Sequence, residues 1–301
     1  MRSGEGGITF ARYLWRKLVN TVMQSQSFET RTFETPDDTD RIVAWVSDWL
    51  AEGGSVLLMT DYDGTLTPIV SEPAQAWLAE GVRRDLQILA RSPQCRVALI
   101  SGRDLEDLRA RTAITHVVHA GCHGLEIVGP GFTFCHPDAE AQRPVLLAVS
   151  RVLCDRASDI EGMWVERKRL GVAVHYRHVR PESQHAVEAL LAQAIQQDGA
   201  RLKIFHGTKV IEVLPQVSWH KGACALWVRD WARRALPAPL LTLYLGDDWT
   251  DEQAFEALAG VAITVRVGTP PPTSRAAYRL AGIASVHRLM ATMAAAVTTP
   301  G

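Results

Sequence analysis

The run Val56-Leu57-Leu58-Met59-Thr60 opens directly into Asp61-Tyr62-Asp63-Gly64-Thr65-Leu66-Thr67-Pro68, and no other stretch constrains the fold as much. A short apolar segment without alternation is the pattern of a strand buried on both faces of a parallel sheet, and Gly64 then turns the chain into a loop. Function in such sheets gathers at that carboxyl end. A core strand has no structural use for two carboxylates two residues apart. Their charges repel and are costly to desolvate unless a cation or a proton lies between them. An acidic turn would also carry Asp and Gly, but the strand-to-loop context favours chemistry. A bound metal ion resolves the repulsion, with one carboxylate attacking an electrophilic phosphorus and the other moving protons.

Further along, strands and helices alternate with short connections. The spacing predicts a helix entered at Thr35-Pro36-Asp37 and running through Ile42, Trp45, Val46, Trp49 and Leu50. After the Asp-bearing strand it predicts a helix near Glu80 to Arg91, a strand at Arg96 to Ile100, a helix near Arg103 to Arg111 and a strand at His116 to Ala120. This order implies a parallel α/β sheet. Two more motifs fall at strand ends. Ser101-Gly102-Arg103 offers a hydroxyl and helix-first-turn amides to an anion, although Ser101 could equally be a helix cap. Leu241 to Leu245 runs into Gly246-Asp247-Asp248-Trp249-Thr250-Asp251-Glu252, whose hard oxygen donors suit Mg²⁺. Between them Lys221-Gly222 opens a helical pattern, and a lysine there would balance charge at an anion-rich site.

Asp-x-Asp-Gly-Thr-Leu resembles the first signature of the haloacid dehalogenase superfamily, and Ser101 and Lys221 fall in that superfamily's motif order. The resemblance implies Asp61 as nucleophile, Asp63 as general acid/base, Thr65 bonding near the phosphoryl group, Ser101 binding phosphate and Lys221 steadying the nucleophile. Mg²⁺ would be held by Asp61, the Asp63 backbone carbonyl, Asp247 and Asp251. Within the superfamily, residues 55 to 267 are similar to the trehalose-6-phosphate phosphatases. These combine Asp61 to Ile69 with Ser-Gly-Arg, Gly121-Cys122-His123-Gly124-Leu125-Glu126, and the terminal Gly-Asp-Asp-x-Thr-Asp-Glu. The implied activity is Mg²⁺-dependent hydrolysis of trehalose 6-phosphate to trehalose and phosphate through an aspartyl phosphate. The family often carries an attached synthase domain, which this chain is expected to lack, and association with a trehalose-phosphate synthase is a partner the resemblance suggests.

Between Glu126 and Lys221 the pattern shifts to short strands at Met163 to Arg167, Val172 to Arg177, Leu202 to His206 and Val210 to Leu214, with helices near Pro144 to Asp155 and Ser183 to Gln197. Two helices on a small sheet make an α+β cap, able to exclude water and recognise the leaving group. By resemblance Arg103, His123, Glu166, Lys168, Arg177 and Glu212 bind the sugar phosphate. Charged strand-edge ion pairs are the competing explanation. His175 alternates with apolar neighbours and reads as packed.

The expected organisation is an N-terminal extension (1–34), a Rossmann-like haloacid-dehalogenase core in two parts (35–126 and 217–301) and an inserted cap (127–216). With 301 residues, 47% of them hydrophobic, the chain can bury such a core. A net charge of -1 offers no field for nucleic acid or anionic membrane. The short basic aromatic cluster Arg12-Tyr13-Leu14-Trp15-Arg16-Lys17 reads as part of a loose extension. Five scattered cysteines without a Cys-x-x-Cys pair, and no apolar run of the ~18 residues that span a bilayer, point to a cytoplasmic protein. A phosphatase for sucrose phosphate or glucosylglycerol phosphate would share every core motif, since the cap decides the substrate. A non-catalytic regulatory protein of the same fold is the reading from another class, disfavoured by retention of both Asp residues, Lys221 and the acidic loop.

Overall fold

The computed structural model describes residues 37–236, 239–269 and 273–298, so the expected extension over 1–34 and its basic aromatic cluster lie outside the described residues. In chain order, α1 (Thr39–Ala51) leads into β1 (Ser55–Thr60), α2 (Glu80–Arg91), β2 (Cys95–Ile100), α3 (Leu105–Thr112) and β3 (Val118–Gly121). A hairpin of β4 (Glu126–Gly129) and β5 (Phe132–Cys135) follows, then α4 (Pro137–Ala141), α5 (Arg143–Arg156), β6 (Trp164–Lys168) and β7 (Gly171–His175). Next come α6 (Gln184–Ile195), β8 (Leu202–Gly207), β9 (Val210–Pro215) and α7 (Lys221–Ala235). The chain closes with β10 (Leu240–Gly246), α8 (Trp249–Ala257), β11 (Ile263–Val267), β12 (Tyr278–Leu280) and α9 (Ile283–Thr298).

Eight strands form one sheet in the order β12-β11-β10-β1-β2-β3-β4-β5, parallel except where β4 and β5 join. The apolar run of β1 is central, pairing Thr60 with Leu245 on one side and Leu99 on the other. Its alternate residues feed two cores. Val56 and Leu58 pack with Ile42, Leu86 and Leu289 from α1, α2 and α9. Leu57 and Met59 face Val228 and Phe255 from α7 and α8. This three-layer arrangement is why β1 shows no alternation: both faces are covered. Trp49, whose indole N–H donates to the Ser55 carbonyl at 2.9 Å, belongs to the first core.

The cap is a separate antiparallel sheet, β6-β7-β9-β8. Val172, Val174, Ile211 and Val213 point to one side, where α5 and α6 cover them. The 127–216 boundary expected for the cap differs from the structure at its start. The β4–β5 hairpin, spanning 126–135, extends the core sheet by two strands, and the cap begins beyond Cys135. All five cysteines are free thiols. Among the described residues no helix is long and apolar enough to cross a membrane.

Candidate active site

The chain leaves β1 toward β2 and leaves the adjacent β10 in the opposite direction, toward β11, which opens a crevice at the carboxyl ends of these strands. All three motifs meet there. Asp61 follows β1 directly, its amide donating to the Leu245 carbonyl at 2.9 Å. Its carboxylate is 7% exposed, with Oδ1 2.9 Å from Lys221 Nζ. Lys221, the first residue of α7, also donates to Asp251 Oδ1 at 2.9 Å. Burial drives Asp61 well above the ordinary carboxylate range; Lys221 opposes this, while Asp251, Asp247 and Asp248 reinforce it. Burial would pull Lys221 down, but Asp251 and Asp61 outweigh it and hold the ammonium form.

Gly64 explains how the first loop meets the last motif. Its φ is +81°, and a Cβ there would lie 2.0 Å from Asp247 Oδ2. Only glycine gives this backbone conformation without penalty and allows the close approach. Thr65 donates to Asp247 Oδ1 at 3.0 Å, so its hydroxyl orients a neighbouring carboxylate. Burial, then the charge of Asp251, pushes Asp247 up to about 7. One lysine thus faces more buried carboxylates than it can balance. Asp61, Asp247 and Asp251 offer oxygens within 4.8 Å of one another, a hard donor set that fits a divalent cation. Asp251, expected among the ligands, has each oxygen already accepting two hydrogen bonds. Oδ1 takes Lys221 and the Tyr244 hydroxyl; Oδ2 takes the amides of Asp247 and Asp248. A second group, Asp104, Cys122 and Glu126, has similar spacing, but there Asp104 accepts from the Arg169 backbone amide and Glu126 pairs with the Arg169 guanidinium, which supplies the positive charge.

Arg103, expected to bind the sugar phosphate, lines the same cavity and pairs with Asp63. Its guanidinium forks onto Asp63, with Nε 2.6 Å from Oδ2 and Nη2 2.6 Å from Oδ1, while Nη1 reaches Asp107 at 2.8 Å. Arg111 Nε donates to the same Asp107 oxygen, Oδ2, at 2.7 Å and to Oδ1 at 2.9 Å. The Asp63 side chain remains 36% exposed toward the crevice. Ser101 is buried at the same cavity but is not a helix cap, because α3 starts at Leu105 with Asp104 capping the Glu106 amide. The expectation that first-turn amides follow Ser101 directly is therefore corrected: Gly102, Arg103 and Asp104 intervene.

The core-facing side of the cap sheet closes over this crevice, leaving a cavity of about 580 Å³. Lys168 Nζ donates to the Gly102 carbonyl at 2.9 Å and pairs with Glu212. His123 Nε2 lies 2.7 Å from the other Glu212 oxygen. Burial opposes the charge on Glu212, yet Lys168 and His123 pull its pKa below the usual range. Glu166 sits 3.0 Å from His175 Nε2. Arg177 is exposed at the cavity mouth, donating to the Thr208 carbonyl at 3.3 Å. Sequence reasoning passed over Tyr244, Asp107 and Trp164, all in contact with site residues. Tyr244 carries a faint signal, a hydroxyl inside an otherwise apolar strand. Asp107 follows Arg103 by one helical turn, the spacing of an ion pair.

Residues 59–278 match the family model described as Trehalose-phosphatase. The trehalose-phosphate phosphatase of Mycobacterium marinum is 40% identical over 245 residues, covering 80% of this chain and 62% of that protein. That of Mycobacterium tuberculosis H37Rv is 42% identical over 209 residues, 68% of this chain and 52% of that protein. The chain thus spans between half and two thirds of the length of these relatives. Among solved structures, the trehalose-6-phosphate phosphatase of Aspergillus fumigatus superposes with a TM-score of 0.56 at 28% identity, covering 87% of this chain and 99% of that one. The C-terminal domain of the Candida albicans enzyme gives 0.69 at 23% identity, covering 84% and 96%. With three-quarters of its length in the family model and the haloacid-dehalogenase core beneath its cap, the chain belongs to the trehalose-phosphatase family.

Proposed function

We propose that this protein hydrolyses trehalose 6-phosphate to trehalose and inorganic phosphate through an aspartyl phosphate on Asp61. The observation that carries the reading is the Asp61–Lys221–Asp251 chain beneath Asp63, facing a cap surface lined by Glu166, Lys168 and Glu212. An Asp61 oxygen forms a bond to phosphorus as the bond from phosphorus to the sugar O6 breaks. Asp63, aimed into the crevice by Arg103, gives its proton to that oxygen. It then takes a proton from the water that attacks the acyl phosphate, which releases phosphate and restores Asp61. Protonation at the right atom contributes on the order of 10²–10⁴-fold.

Lys221 neutralises the nucleophile's surroundings, and Asp251 positions Lys221 and the 246–248 turn. Ser101 and Thr65 border the phosphate, the latter through Asp247. The carboxylates of Asp61 and Asp247, with the Asp63 carbonyl, would hold Mg²⁺, which neutralises phosphate charge and fixes its orientation. Glu166, Lys168 and Glu212 hydrogen-bond the sugar, with Arg177 at the entrance. His123 acts by holding Glu212, and Arg103 by holding Asp63. Phosphate release measured over a panel of sugar phosphates tests the reading. Trehalose 6-phosphate should give the highest kcat/KM; higher efficiency with sucrose phosphate or glucosylglycerol phosphate would overturn the substrate while leaving the chemistry.

A further inference from the structure

The core-facing side of the cap sheet is graded along its strands. On β6, Trp164, Glu166 and Lys168 share that side, alternating with Val165, which packs toward the cap core. Across from them, Ala173 pairs with Glu166 on one side and with Glu212 on the other. Two carboxylates therefore flank a small residue, making a trough with hydrogen-bonding walls. The Lys168 end touches the core at the Gly102 carbonyl, beside Ser101, and so marks the phosphate end. Trp164 stands four residues up the strand, about 13 Å away at ~3.3 Å per residue.

At that far end the Trp164 indole and the His175 imidazole stack in parallel, 3.8 Å apart with 2° between their planes. They are register partners on β6 and β7. His175 is held by Glu166, so the pair is fixed in orientation before any ligand arrives. Trp164 keeps 39% of its surface exposed and is not part of the cap's apolar core. It lines the same cavity as Asp61. An ordered, exposed aromatic plane beside hydrogen-bonding carboxylates matches the amphipathic character of a pyranose, which has an apolar C–H face and a polar edge.

We propose that the Trp164–His175 stack is the subsite for the second sugar ring and selects disaccharide phosphates over monosaccharide phosphates, an inference that rests on reading the cavity as a sugar-phosphate site. The first ring lies over Ala173 between Glu166 and Glu212, and only a second ring reaches Trp164. Trp164 is thus a specificity residue and takes no part in the chemistry.

The test is steady-state kinetics of wild type, Trp164→Ala and Trp164→Phe on trehalose 6-phosphate and glucose 6-phosphate, which present the same primary phosphate. In Trp164→Ala the ratio of the two kcat/KM values should fall about tenfold, ~1.4 kcal/mol of discrimination, through KM for the disaccharide. Trp164→Phe keeps a flat ring and should hold the ratio within about threefold of wild type. A ratio that stays at the wild-type value in Trp164→Ala, whether both efficiencies hold or fall together, would overturn the subsite. A wild-type protein that turns over glucose 6-phosphate but not trehalose 6-phosphate would instead overturn the substrate reading on which it rests.

Discussion

At the scale of single residues, the site is organised by charge that burial makes expensive. Asp61, Lys221 and Asp251 are each at least 95% buried, and any one of them alone would be costly to ionise there. Together they form an alternating chain in which the lysine keeps its proton between two carboxylates. Asp63 is held differently, by a two-point fork from Arg103 with one side left open to the cavity. The two carboxylates of the motif are therefore unequal, one buried beside an ammonium and one half-buried on a guanidinium, and the proposed roles of nucleophile and proton carrier divide along that line. Replacement Asp63→Asn keeps the size but removes proton transfer. Turnover of trehalose 6-phosphate should fall by something on the order of 10²–10⁴-fold with an unchanged circular dichroism spectrum. An unchanged rate would take Asp63 out of that role.

Among elements, the contact between cap and core decides whether the cavity exists. Lys168, Glu212 and His123 form its polar centre, and Phe205 of β8 meets Trp249 of α8 at 5.1 Å on the rim. Glu212 titrates below its ordinary 4.5 because Lys168 and His123 overcome the cost of burying it. A carboxyl depressed in the fold stabilises it above the unfolded pKa, and that contribution is lost as pH falls toward the folded value. The Tm advantage of wild type over Glu212→Gln should therefore be full at neutral pH and shrink below about pH 4.5. Equal differences at neutral pH and at about pH 3.5 would show that Glu212 contributes no such stabilisation.

Elements also differ in how far the sequence reveals them. The strand before Asp61, the three motifs at strand ends and the four cap strands are legible, because burial on one or two faces writes itself into apolar periodicity. The cap strand expected at Met163 to Arg167 is observed at Trp164–Lys168, a shift of one residue. The β4–β5 hairpin is not legible as core. Its residues read equally well as the first strands of a cap, and their pairing with β3 is a long-range choice that no local pattern encodes. Arg103 illustrates the same limit at a side chain: the sequence places it near the sugar phosphate by resemblance, and only the fold reveals its pairing with Asp63. Trp164 was silent, since an aromatic at the start of a strand is ordinary until its neighbours are placed.

For the whole molecule, the division of labour is spatial. The α/β core supplies Asp61, Asp63 and the acidic turn from the ends of adjacent strands and Lys221 from the start of α7, and the cap supplies the facing wall of the cavity, which on the proposed reading binds the sugar. The proposed chemistry calls for a cation, because Asp61, Asp247 and Asp251 together with a phosphate would exceed the charge of Lys221. Dialysis against chelator should abolish phosphate release and added Mg²⁺ should restore it; full activity in excess chelator would contradict a metal-dependent centre.

The most direct test is capture of the covalent intermediate. Protein mixed with trehalose 6-phosphate, quenched in acid within milliseconds and reduced with borohydride should carry homoserine in place of the aspartate at position 61 in its peptide mass spectrum. Asp61→Asn should show neither modification nor turnover. Modification of a different residue, or steady phosphate release by Asp61→Asn, would contradict Asp61 as the group that takes the phosphoryl from the sugar.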